Sequence, residues 1–279
     1  MNRLLNVDSA TAANRRHWDE LGTRHPHTPH YGEKVDRLVA GGSVLRRLEI
    51  DEMGDVSGRS MLHLQCHLGT ESVSWARRGA AVTGVDFSPA ALESARAIAQ
   101  RCGVDIRYVE SDVLRLNEVL TEQFDVVYTS WGVLGWISDL ERWAHVVRDH
   151  LKQGGFVYLG EFHPTAWMFD DEASEPKLRY AYFDEEPLRV DSVGSYADPS
   201  MHVEHNTSYS WYYTLGGVIT ALAAAGLRID FLHEWMRAPF QFLDMLVRDE
   251  TDDEEWYRAP DGVPPMPLAF TLRAHRDDR

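Results

Sequence analysis

The constraint that narrows the fold most is a rhythm. Between residues 60 and 162, short apolar runs alternate with amphipathic segments of helical period. The runs are Ser60–Leu64, Ala81–Val85, Ile106–Glu110, Phe124–Thr129 and Phe156–Phe162, all of strand length. Helices are expected between them over Thr70–Arg78, Pro89–Arg101 and Asp139–Leu151, with a short one at Leu116–Leu120. Boundary chemistry agrees. Ser88 offers an N-cap with Pro89 at the first helical position, and Gly79, Cys102-Gly103 and "KQGG" close the three longer helices. Strands that are apolar throughout need cover on both faces, and strands joined through helices run parallel. A later helix, Leu215–Ala225, and strands at Leu227–His233 and Leu268–Ala274 bring the strand total to seven. The expected class is α/β, a doubly wound, mainly parallel seven-stranded sheet.

The flanking segments break this rhythm. In residues 1–55, "SATAANRRHWDELG" offers Ser9 as a cap, with Trp18 and Leu21 on one face. Pro26 and Pro29 then interrupt the chain, and residues 33–53 read as an amphipathic helix broken at Gly41-Gly42. These residues form an N-terminal helical cover for a domain spanning 56–279. The stretch from about 163 to 212 is too long for an ordinary connection and too aromatic for a slack linker, so it reads as a lid insertion. A net charge of −16 disfavours nucleic acid, because the pairs Arg15-Arg16, Arg46-Arg47 and Arg77-Arg78 all lie in helix-like stretches beside acids. Cys66 and Cys102 give no disulfide framework. No run approaches the roughly 20 apolar residues of a membrane span, and none resembles a signal peptide. A cytoplasmic protein with no membrane partner is expected, and no heptad or sheet-edge signal points to an oligomer.

In an open parallel sheet, ligands bind beyond the carboxyl ends of the strands. Polar features stand there in succession. "LHLQCHLGT" follows the first strand. "VTGVDFS" ends the second with Asp86 and Phe87, and a carboxylate there can accept from both ribose hydroxyls. "YVESDV" ends the third, where Asp112 can accept from an adenine amino group while the Val113 N–H meets a ring nitrogen. "TSWG" brings the Ser130 carbonyl and the Trp131 ring to the same rim. An Asp after a strand is commonly a turn or cap residue; it is the ordered set that is specific. His63, Cys66 and His67 are zinc ligands by type, but strand alternation separates them and no second Cys/His pair lies at zinc spacing. No metal is expected there, and "HPHTPH" (His25, His27, His30) reads as a polar loop.

These motifs resemble the class I S-adenosylmethionine-dependent methyltransferases, over residues 60–162 by motif and over the last helix and strands by topology. Met61-Leu62 stand where that family has an apolar pair, and Leu64, Cys66 and Gly69 match its first motif. His63 replaces the motif's acid, and Gln65 and His67 replace two of its glycines. Asp86 and Asp112 match the family's ribose and adenine acids, "FDVVYTSWGVLGWISD" its fourth motif, and "LKQGGFVYLGEF" its turn into strand five. The stretch "LHLQCHLGTESVSWARRGAAVTGVDFS" is similar to a bacterial branch acting on small molecules. The resemblance implies a Rossmann-like methyltransferase fold with an antiparallel last strand and S-adenosylmethionine as cofactor. It also implies S-adenosylhomocysteine as product and a small-molecule methyl acceptor as partner. A dinucleotide loop needs glycines because its backbone approaches a pyrophosphate. S-adenosylmethionine has none, which makes side chains at 65 and 67 tolerable. Carbonyls near Leu64, Gln65 and Ser130 can accept from its ammonium, and the Gln65 amide or a His67 nitrogen can reach its carboxylate. Trp18 and Tyr31 would fold over the cofactor, as the N-terminal segment does in related enzymes.

Methyl transfer requires acceptor, methyl and sulfur in line, and a base helps where the acceptor must lose a proton. Glu161 and His163 of "GEFHP" are the candidates, on one side of the sheet if strand five stays regular to residue 163. The alternative is that Glu161 orders the lid and His163 caps the turn before Pro164. Trp136, Trp167, Tyr180, Tyr196 and Trp211, beside Trp131, are expected to line the pocket of a small apolar or aromatic acceptor. Two rivals stand beside this reading. An NAD-type oxidoreductase would want G-x-G-x-x-G after strand one, which is absent. A non-catalytic S-adenosylmethionine-binding module would keep Asp86 and Asp112 without turnover.

Overall fold

The computed structural model describes residues 7–184 and 186–277, so residues 1–6 of the expected cover lie outside it. The cover consists of α1 (Val7–Arg24), α2 (Pro29–Val39) and α3 (Arg47–Met53). The expected helix over 33–53 is thus two helices, parted at Ala40–Arg46, where Gly41 takes φ 92°. Pro29 starts α2 behind Thr28, whose hydroxyl caps it. Ser9 lies within α1 and does not cap it.

The main body runs β1 (Ser60–Leu64), α4 (Thr70–Arg77), β2 (Ala81–Asp86), α5 (Pro89–Arg101), β3 (Arg107–Glu110), β4 (Phe124–Thr129), α6 (Leu140–Asp149) and β5 (Leu151–Phe162). After the lid, which holds the hairpin β6 (Leu188–Asp191) and β7 (Thr207–Ser210), come α7 (Leu215–Ala224) and β8 (Leu227–Trp235). A small sheet of β9 (Arg237–Ala238), β10 (Val247–Arg248) and β11 (Tyr257–Arg258) precedes β12 (Ala269–Arg276). The main sheet has seven strands in the order β3-β2-β1-β4-β5-β12-β8, with β12 antiparallel to both neighbours. The doubly wound sheet is as expected. β5 begins five residues early, because "LKQGG" pairs beside Phe124 across an irregular register and is not a helix end. The Ser88 cap on α5 is realised, its hydroxyl accepting from the Ala91 N–H at 3.0 Å.

Both faces of the sheet are buried, which explains the unbroken apolar strands. Leu62, Leu64, Val85, Val127, Val157 and Leu159 face Trp143 of α6 and Leu222 of α7. Met61, Val82, Val126, Tyr128, Phe156 and Tyr158 face Trp75 of α4 and Met53 of α3. α1 packs along α5 and β7, and Asn14 pairs with both backbone groups of Tyr209 at 2.8 Å, tying the cover to the lid hairpin. The order of strands reverses between β1 and β4, so their carboxyl ends open a crevice there.

Candidate active site

The loop after β1 turns through left-handed backbone three times, at Gln65 (φ 52°), His67 (φ 47°) and Gly69 (φ 65°). Gln65 and His67 stand where the resembled family has glycine, and the backbone keeps the glycine conformation under ordinary side chains. This costs about 1–2 kcal/mol at each such residue. Local bonds hold the shape. Cys66 N–H donates to the Val85 carbonyl at 2.9 Å, Gly69 N–H to the Cys66 carbonyl at 2.8 Å, and His67 N–H to Asp86 Oδ2 at 2.9 Å. Gly69 must stay glycine, since a Cβ there would lie 2.5 Å from the Tyr108 hydroxyl. His63 turns away from this loop into the core, its Nδ1 bonded to Ser72 Oγ at 2.7 Å. Among the described residues no His, Cys, Asp and Glu cluster is placed to hold a metal ion.

Asp86, at the end of β2, is buried and lines the cavity beyond the loop. Burial pushes its carboxyl up to about 6, against the pull of the Ser88, His67 and Phe87 N–H groups. The cavity occupies about 760 Å³. The cover supplies Trp18, His30, Tyr31, Lys34 and Arg46; the loops after β1 and β4 supply Gln65, His67, Ser130, Trp131 and Trp136; the lid supplies Trp167, Tyr196 and Trp211. Asp112 opens instead on a second cavity, where its carboxylate also caps the following turn by accepting from Leu114 N–H at 2.9 Å. Phe87 and Tyr213 line both cavities, so the two adjoin.

Cover and lid meet above the loop. His25 Nδ1 lies 2.9 Å from His67 Nε2, and its Nε2 lies 2.7 Å from Ser195 Oγ. The Tyr31 and Tyr196 hydroxyls are 2.5 Å apart. Burial lowers His67 to about 4 and His25 to about 2, so both rings are neutral at pH 7 and the links are hydrogen bonds without charge. The Trp18 ring stands edge-on to His67 and Trp136, with centroids at 5.2 and 4.9 Å. Lys34 Nζ sits 5.2 Å from the Tyr31 ring centre and has no ion pair among the described residues. Glu71 lines the same wall. Burial raises its carboxyl, but Lys34 and the Thr70 hydroxyl bring it below the usual range.

Glu161 is buried at the end of β5 and lines the cavity. Its oxygens accept from Leu134 N–H at 2.8 Å and Phe162 N–H at 2.7 Å. Desolvation lifts it to about 7, while N–H groups of Leu134, Phe162, Val133 and Gly132 pull the other way. Its lone pairs are thus directed at the loop after β4, which it fixes. The same loop is held by Gln65, whose amide donates to the Val133 carbonyl at 3.0 Å and leaves Oε1 buried without a partner. Trp131 lies over Gly160, where a Cβ would come within 2.9 Å of the indole.

Several expected positions fall elsewhere. β5 ends at Phe162, so the alternation that would align His163 with Glu161 does not extend to it. His163 lies outside the cavity lining, its Nε2 facing Glu234 at 2.9 Å and its Nδ1 accepting from Thr165 N–H. Tyr180 lies outside it too, under Arg179 and beside Asp171. The side chains of Leu64 and Val113 pack in the core, so only their backbone groups can meet a ligand, and Gly69 is the N-cap residue of α4. Lys34, Arg46, Glu71, Phe240 and Phe242 line the cavity without having been singled out. A signal existed for Lys34, which lies three residues after Tyr31 on one helix face.

The lining suits S-adenosylmethionine on three counts. Asp86 presents a buried carboxylate for hydroxyl donors, Lys34 and Glu71 offer opposite charges to a zwitterionic tail, and Gln65 Oε1 lacks a donor. Together with the strand order, these give the chain a Rossmann-like methyltransferase fold with a cavity suited to S-adenosylmethionine. Known proteins agree. Residues 62–157 match the family model described as a methyltransferase domain. A Ubiquinone biosynthesis O-methyltransferase from Pseudomonas syringae pv. tomato is 33% identical over 122 residues, which is 43% of this chain and 52% of the relative. The chain thus spans about half the length of the curated relatives it matches. An S-adenosylmethionine dependent methyltransferase structure from Mesorhizobium loti superposes with TM-score 0.57 at 20% identity, covering 82% of this chain and 96% of that one. One from Clostridium acetobutylicum gives TM-score 0.53 at 13% identity, covering 88% and 92%. No helix among the described residues is long and apolar enough to cross a membrane.

Proposed function

We propose that this protein transfers a methyl group from S-adenosylmethionine to a small apolar or aromatic acceptor held under the lid. The observation that carries the reading is a single cavity with two unlike halves. One half has Asp86, Glu71, Lys34 and the Ser130 rim; the other has Phe162, Trp167, Trp211, Tyr212, Phe240 and Phe242. When bound, the cofactor supplies an electrophilic methyl on sulfur. Asp86 accepts from the ribose hydroxyls, Lys34 faces the carboxylate, and Glu71 with the Ser130 carbonyl faces the ammonium. Phe87 and Asp112 receive the adenine end where the two cavities adjoin. Trp18 and Tyr31 close the cover over this half and keep water out. The aromatic half positions the acceptor, which is where most of the rate gain arises. Glu161 serves by fixing the loop that carries Ser130 and Trp131.

The Pseudomonas relative's name assigns it O-methylation in ubiquinone biosynthesis, and an aromatic acceptor here is in keeping with that. The oxidoreductase rival is disfavoured because Gln65 and His67 carry side chains where a pyrophosphate would need bare backbone. Calorimetric titration with S-adenosylhomocysteine and with NAD tests the cofactor, and transfer of labelled methyl to a panel of phenols and amines tests turnover. NAD binding without S-adenosylhomocysteine binding would overturn the reading. Cofactor binding with no transfer to any acceptor would favour the non-catalytic module.

A further inference from the structure

The lid half of the cavity has a chemistry of its own. Phe162, Trp167, Tyr196, Tyr212, Phe240 and Phe242 form one connected ring cluster and all line the cavity. Centroids lie 4.3 Å apart for Phe162–Phe242, 4.8 Å for Phe162–Phe240, 4.9 Å for Trp167–Phe242, 5.6 Å for Trp167–Tyr212 and 6.0 Å for Tyr196–Phe240. Residues 164–244 add three charged side chains to the lining, Asp171, Glu172 and Asp244, and all are acids. Asp171 lies 3.8 Å from Arg179, a side chain already paired at 2.9 Å with Asp170, which also holds Lys177. Glu172 and Asp244 have no ion pair among the described residues. The lining cations Lys34 and Arg46 both belong to the cover. An aromatic surface with a purely acidic rim attracts a positive charge, since ring faces and carboxylates act in the same direction.

A second observation concerns proton acceptors. Glu161 directs its oxygens at backbone N–H groups. Burial holds His67 and His30 as neutral rings near 4, weak bases at neutral pH. That leaves the carboxylates of Asp171, Glu172 and Asp244 as the proton acceptors on the lid side of the lining. An amine drawn in as an ammonium ion must shed a proton too, and the carboxylates that attract it stand at the rim where that proton can leave to water. The family-model match ends at residue 157, before all six rings and all three acids, so the relatives' acceptors do not speak to this half.

We infer that the methyl acceptor is an organic amine, gathered by the Phe162–Trp167–Phe240–Phe242 cluster beneath Asp171, Glu172 and Asp244. The inference rests on the methyl-transfer reading. In the step, the bound ammonium ion first gives a proton to water at the acidic rim, and the freed lone pair forms the new N–C bond while the C–S bond breaks. The bonding pair stays with sulfur as a neutral thioether. The product is an ammonium ion, which passes any N–H proton to water at the acidic rim and which the rings also favour.

The test uses the full chain with S-adenosylhomocysteine present and reads tryptophan emission. The probes are benzyltrimethylammonium and its uncharged isostere neopentylbenzene. The cation should bind about tenfold tighter than the isostere. Replacing the three exposed acids together (Asp171→Asn, Glu172→Gln, Asp244→Asn) should shrink that ratio several-fold and leave S-adenosylhomocysteine affinity unchanged. Equal or tighter binding of the isostere overturns the inference, as does an unaltered ratio in the triple variant. Methyl transfer confined to uncharged phenols would also overturn it while leaving the methyl-transfer reading intact. Absence of S-adenosylhomocysteine binding would count against that reading itself.

Discussion

Asp86 gives the sharpest test of how this site recognises its cofactor. Its carboxyl titrates at about 6 in the free protein, raised from 3.8 by burial. Two ribose hydroxyls donating to the carboxylate would stabilise the ionised form and return the value to 3.8 or lower. Binding then favours the carboxylate, so affinity nears its full value at pH 7 and above and declines as protons compete below that. With those two values, S-adenosylhomocysteine should bind about ninefold more weakly at pH 5 than at pH 7, or about 1.3 kcal/mol. At pH 6 each binding event should release about half a proton. Calorimetry from pH 5 to 8, in two buffers of different ionisation enthalpy, measures both quantities. Asp86→Asn should remove the pH dependence and weaken binding at pH 7 by about 1–3 kcal/mol. An affinity that is flat from pH 5 to 7, or a slope that survives in Asp86→Asn, would refute the assignment. For folding the sign is reversed from that of a salt-bridged carboxylate. The folded value exceeds the unfolded one, so the stability linked to Asp86 is greatest below pH 4 and falls as pH rises through 6.

Two further outcomes follow from the same geometry. Glu161→Gln keeps one acceptor oxygen but places an amide NH₂ against either the Leu134 or the Phe162 N–H group, and should lower unfolding free energy by about 1–3 kcal/mol in urea titration. Cofactor affinity should fall with it, whereas a purely chemical role for Glu161 would leave both unchanged. His25→Ala breaks the link between His67 and Ser195, so amide exchange at residues 195–201 should accelerate while β1 and β4 stay protected. Unchanged exchange across 195–201 would show that the lid is held by other contacts.

The framework was legible where one local rule governs one element. Ser60–Leu64, Pro89–Arg101 and Phe124–Thr129 match the structure to the residue, because a buried parallel strand is a plain apolar run and Ser88-Pro89 marks a helix start. Legibility failed where tertiary pairing decides. β9, β10 and β11 have two residues each and carry no period, so the small sheet over 237–258 left no trace. Placing His163 relied on a strand continuing past Phe162, and the Pro164 turn stops it there. In the site, Gln65, His67, Asp86, Phe87, Ser130 and Trp131 could be named because they follow strand ends. Phe240 and Phe242 could not, since they reach the cavity from a segment whose path depends on that small sheet. Lys34 and Arg46 lie on the cover, where only the packed helices reveal which face turns inward.

The left-handed residues of the β1 loop also bear on how such loops are found. A glycine at 65 or 67 would relieve about 1–2 kcal/mol of steric strain. It would also give the unfolded chain more freedom to lose, at a cost of about 0.5–1 kcal/mol. The two terms offset each other in large part, so one backbone path can be reached from opposite directions, by strain with Gln and His or by entropy with Gly. The small net difference leaves room for residue identity to answer to the ligand. Counting glycines detects only one of the two solutions, whereas the hydrogen bond from His67 N–H to Asp86 is a feature both can share.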